Sequence, residues 1–128
     1  MRTPTADGGG ACFAPALGVS FEGRPAEFLP AVADLVDVVE IVPDSLVAAD
    51  QRPHPALLEH LDQHAASHPV TFHGIGLSIG SSRGWNEDYL RLLDAMLTWR
   101  MPRWHSEHLG LTMVDGSFLG TMPALPLT

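Results

Sequence analysis

Four short apolar runs recur along this chain, and helix-like stretches separate them. The runs are "LGVSF" (17–21), "VDVVEIV" (36–42), "PVTFHG" (69–74) and "RWHSEHLGL" (103–111). Between them lie "PAEFLPAVADLV" (25–36), "HPALLEHLDQHAA" (54–66) and "NEDYLRLLDAMLTWR" (86–100), whose apolar residues fall at helical spacing. Strand, helix, strand, helix, strand, helix, strand is the pattern of a parallel sheet with crossover helices. Right-handed crossovers between consecutive βα units predict the strand order 1-2-3-4.

The details of each run sharpen this. Pro30 interrupts the first helix early, and Pro55 suits the first turn of the second. Leu57, Leu58, Leu61 and Ala65 form one face of that second helix. Asn86 is a good cap for the third, with two acids behind it. Leu90, Leu93, Met96 and Leu97 are its predicted apolar stripe, with Asp94 at the border. The β-branched run 36–42 reads as a strand buried on both faces. Asp115-Gly116, between "LTMV" and "SFLG", signals a hairpin.

Size limits the architecture. A (β/α)₈ barrel takes roughly 250 residues, and this chain has 128. The fold class is therefore α/β with about four parallel βα units, either a small open sheet or a partial TIM barrel. On the barrel reading residues 16–128 are its N-terminal half, and residues 1–15 are expected to be a mobile leader. A half-barrel leaves its first and fourth strands as edges. It is also expected to expose inner-face Val and Ile, which favours self-association or a complementing half-barrel.

Composition excludes several partners. The formal net charge is −8, and all 7 basic residues are Arg. Nucleic acid and anionic membrane surfaces need a basic face, so neither is expected. No apolar run reaches the ~20 residues of a bilayer span, and the start lacks the basic and apolar regions of a signal peptide. The single Cys12 forms no internal disulfide, so a cytoplasmic setting is expected. With no local activating group, it is not a nucleophile candidate.

His73, Glu107 and His108 fall at or near the carboxyl ends of predicted parallel strands, where such sheets place their sites. Glu40 and Asp44 lie near the equivalent end of the second strand. Imidazole and carboxylate together suit a divalent metal such as Fe, Mn or Zn. The plain alternative is that His73 is a hydrogen-bonded core histidine and Glu107 a salt-bridged acid. His105 shares a strand face with Glu107 and is a further candidate. His60 and His64 share a helix face that looks exposed, and Leu61 breaks the zinc-protease pattern. His54 and His68 read as capping or surface residues. "GIGLSIGSS" matches neither phosphate-loop spacing and has no Lys, so its glycines serve a tight turn after His73. Trp85, Trp99 and Trp104 read as packing residues.

The stretches "LGVSF", "VEIVPDSL", "HGIGLSIGS", "SEHLGLTMVDG" and "PALPLT" occur together in order from residue 17 onward. In these the chain resembles the multinuclear non-heme iron-dependent oxidases. These are TIM barrels that modify cysteines of ribosomally made peptides, as in methanobactin and bufferin maturation. The resemblance implies an iron cofactor of two or three ions in an intact enzyme. It makes His73, Glu107, His108 and Asp44 metal residues, with Glu107 placed to bridge metals and Glu107 and His73 catalytic. Asp44 falls where family members often carry Glu, and Val42 and Phe118 stand where His is common. Further ligands would come from later strands. A precursor peptide, and a peptide-recognition partner protein, are the implied partners. Two other readings stay open: a different divalent-metal barrel enzyme, of isomerase or phosphodiesterase type, and an inactive remnant serving as a binding module.

Overall fold

The computed structural model describes residues 15–125. The expected leader, with Cys12, lies outside the described residues except for Pro15, as does the end of "PALPLT". Strands β1 (Gly18–Phe21), β2 (Val38–Ile41), β3 (Val70–Gly74) and β4 (His105–Glu107) form one sheet. All pairings are parallel and the order is β1-β2-β3-β4, as the crossover rule predicts. Helices α1 (Phe28–Val32), α2 (Pro55–His64) and α3 (Glu87–Trp99) lie in the connections. The sheet is a partial α/β barrel.

The core occupies one side of the sheet. Phe21, Val39, Ile41, Val70 and Phe72 pack against Leu29, Leu61, Leu92 and Met96 from the helices. By strand alternation the opposite face carries Gly18, Ser20, Val38, Glu40 and Thr71. That face lines an open groove of about 660 Å³, with Arg103 and Trp104 at its rim. The expected layer of Val and Ile is thus largely absent, and small and polar residues stand there. β2 buries alternate residues rather than all of them, for the same reason.

Other expectations change at the element ends. α1 starts at Phe28, and residues 33–35 continue it as a 3₁₀ turn. β4 is only three residues long, because the chain leaves the sheet after Glu107. The stripe of α3 is Tyr89, Leu92, Leu93 and Met96, while Leu90 and Leu97 are each 39 % exposed. Asn86 caps α3 as expected, its side chain accepting from the Tyr89 N–H. Trp85 and Trp104 are exposed. Trp99 is half-buried, and its indole N–H donates to Asp62 of α2 at 3.0 Å. The hairpin forms as β5 (Met113–Val114) and β6 (Ser117–Phe118), with positive φ at both Asp115 and Gly116. No described helix is long and apolar enough to cross a membrane.

The glycine-rich loop after β3 is fastened rather than open. Ser78 is 2 % exposed, and its Oγ accepts from the backbone N–H of Thr112 and of Met113, each at 3.0 Å. The Gly80 N–H donates to the Gly110 carbonyl at 3.0 Å. These bonds join the loop to the segment that follows β4, so two strand ends are held as one unit. Ser78 adopts φ 55°, in the left-handed region, a strain the two bonds must offset. Ser78→Ala leaves two N–H groups without their acceptor. The expected loss is about 1–3 kcal/mol in urea unfolding, and an unchanged midpoint would contradict the fastening role.

Candidate functional site

The β3–β4 register pairs His73 with Ser106 and Gly74 with Glu107. Neighbours on a strand point to opposite faces. His73 therefore shares a face with Ser106, and its Nδ1 is hydrogen-bonded to Ser106 Oγ at 2.8 Å. The His108 ring packs edge-on against His73, with centroids 4.6 Å apart and planes at 68°. Glu107 turns the other way, towards α3. Its Oε1 accepts from the Tyr89 hydroxyl at 2.7 Å and lies 2.7 Å from His105 Nε2.

Asp44 sits in the 3₁₀ turn Pro43–Leu46 that follows β2. Its Oδ2 accepts the Ile75 N–H at 2.9 Å, which ties the β2 end to the β3 end. Burial raises its pKa, opposed by backbone N–H groups and by His108. Burial is also the main reason the Tyr89 hydroxyl is pushed far above its usual pKa, with the hydrogen bond to Glu107 next and the Asp44 and Glu107 charges adding. Tyr89 therefore stays a neutral donor.

Two glycines make this packing possible. A Cβ at Gly74 would overlap Tyr89 Oη and Glu107 Oε1, and one at Gly76 would overlap Asp44 Oδ1. The glycines after His73 thus serve close approach of side chains more than turning.

The sequence-based site residues reach one sheet edge but not one point. His73 and His108 meet, Glu107 meets Tyr89 and His105, and Asp44 meets the β3 loop. Among the described residues, no three of His, Cys, Asp or Glu are grouped to hold a metal ion. Among the described residues five buried side-chain atoms lack a partner, and two of them, Glu107 Oε2 and His108 Nδ1, belong to candidate residues of this edge. A carboxylate oxygen and an imidazole nitrogen fit a divalent transition metal in donor chemistry, while their number falls short of a full set.

The other histidines take no part in these contacts. His60 and His64 are half-buried rather than exposed, with ring centroids 4.6 Å apart and His60 beside Phe21. His68 Nε2 is hydrogen-bonded to the Ala33 carbonyl at 2.9 Å, and the His54 side chain makes no cap bond. Tyr89 is the residue that the sequence reading missed. Its signal was available, because Tyr89, Leu92, Leu93 and Met96 have i, i+3, i+4, i+7 spacing.

Gly74→Ala should drive Tyr89 and Glu107 apart and cost about 1–3 kcal/mol by overpacking. Denaturant unfolding measures this, and parental stability would mean that the two groups do not meet over Gly74.

Comparison with known proteins places these residues in a family. UPF0276 proteins are similar over much of the chain. That of Caulobacter vibrioides is 36% identical over 89 residues, 70% of this chain and 30% of the relative. That of Acaryochloris marina is 38% identical over 71 residues, 56% of this chain and 26% of the relative. That of Anaeromyxobacter sp. is 36% identical over 98 residues, 77% of this chain and 33% of the relative. The matched segments span only 26% to 33% of the length of these relatives. The profile of the RiPP precursor modification enzymes MbnB/TglH/ChrH matches residues 16–128, and the chain belongs to that family.

Proposed function

We propose that the chain is the N-terminal part of an iron-dependent, O₂-using oxidase that modifies cysteines in a ribosomally made peptide. Family membership supports the peptide substrate. The observation that carries the metal reading is the pair of buried, unpartnered donors on adjacent residues, Glu107 Oε2 and His108 Nδ1. Buried polar atoms without partners are costly, and a bound cation would satisfy both.

His73, Glu107, His108 and Asp44 are the proposed metal residues. Iron held there would supply O₂ activation beside a substrate thiolate. Ser106 orients the His73 ring through Nδ1, which leaves Nε2 for the metal. His108 serves as a ligand or as a partner packed on His73. Asp44 holds the β3 loop against the β2 end through Oδ2. A precursor peptide is the proposed substrate, delivered by a peptide-recognition partner protein.

The short ligand set suggests completion from elsewhere. β1 and β4 each have one neighbour among the described residues, so each presents a free edge. Further strands, from a longer chain or from a complementing copy, would add both pairing and donors. Sedimentation at micromolar concentration is expected to show association, and a compact, cooperatively unfolding monomer would refute it.

Metal binding tests the central reading. Anaerobic equilibrium dialysis with ferrous iron should show loose, substoichiometric binding, because a few ligands underfill the centre. His73→Ala and Glu107→Ala should each remove most of it. Tight binding of two or more irons, indifferent to both substitutions, would contradict the assignment.

A further inference from the structure

The two oxygens of Glu107 are held very unequally. Oε1 carries both contacts, with Tyr89 Oη at 2.7 Å and His105 Nε2 at 2.7 Å. Oε2 is buried and has none. A carboxylate free to rotate would spread its donors over both oxygens, because an unpaired buried acceptor is costly. The asymmetry is therefore imposed by where the donors stand.

Tyr89 is the firmer of the two. It is 4 % exposed, on a helix of 13 residues anchored by Leu92, Leu93 and Met96. Its hydroxyl reaches Glu107 only because Gly74 has no Cβ in the way. His105 is on the short strand β4, with its side chain 31% exposed.

We propose that Tyr89, seconded by His105, is a positioning residue that occupies Oε1 of Glu107 so that Oε2 is the single oxygen offered to a divalent cation. The inference rests on the reading of Glu107 as a metal residue and adds which atom binds and what selects it. Without the phenol, the carboxylate gains freedom to rotate, to chelate through both oxygens or to turn away. Residues that orient a metal ligand in this manner change affinity and ligand field without touching the ion.

Cobalt(II) titration of the chain, followed by its visible ligand-field absorption, tests this. Tyr89→Phe keeps the ring in the core and removes only the hydroxyl. It should weaken cobalt binding about 10-fold and change the shape of the absorption band, with circular dichroism and the unfolding midpoint close to the parent. Should Tyr89→Phe not fold, His105→Phe on the edge strand removes the second donor and should alter the band in the same sense. Glu107→Gln separates the two claims. If it leaves cobalt binding at the parental level, or if the parent gives no cobalt band, the metal reading of Glu107 falls and takes this inference with it. If Glu107→Gln weakens binding while Tyr89→Phe and His105→Phe, where folded, keep the parental affinity and band, the metal reading stands and the positioning role is overturned.

Discussion

The register between β3 and β4 is the constraint on which the rest of the sheet edge depends. It sets Gly74 opposite Glu107, and the missing side chain of Gly74 leaves room for Glu107 and Tyr89 to meet. A slip of one residue would put His73 opposite Glu107 and turn the carboxylate to the other face. The rotation of α3 follows from the same contact. Tyr89 must face the sheet, so Leu90 and Leu97 turn outward although they are the more apolar residues.

The sheet also explains why residues that are neighbours in "SEHL" have different surroundings. Ser106 and His108 serve the His73 side, while Glu107 serves the helix side. Donors from both faces come near each other only past the strand ends. There the Asp44 carboxylate bridges to the β3 loop, and Ser78 locks that loop to the segment after β4. The edge is thus built as a connected frame before any ion is considered. Family membership gives such a frame its context, a parallel α/β barrel. The opposite face, with Ser20, Glu40 and Thr71, is too polar to serve as a second core.

Much of the fold was legible in the residues. The strand–helix alternation and the crossover rule were enough for the order β1-β2-β3-β4. Asp115-Gly116 was enough for the hairpin, because two positive φ angles there suit few other residues. The candidate edge followed from strand ends alone, with His73 and Glu107 in place. Legibility stopped at side-chain direction. Trp85 and Trp104 read as packing residues but lie exposed, and β2 read as buried on both faces but buries only one.

Local pattern by itself determined which segments are strands and helices and their order along the chain. That information is carried by spacing and by backbone preference within a few residues. Only the tertiary structure decided that Glu107 turns to Tyr89, that His108 turns to His73, and that Glu107 Oε2 and His108 Nδ1 remain without partners. These depend on the register of two strands thirty residues apart and on the rotation of a helix above them. A periodic sequence is compatible with several such alignments, and the packing at Gly74 selects one.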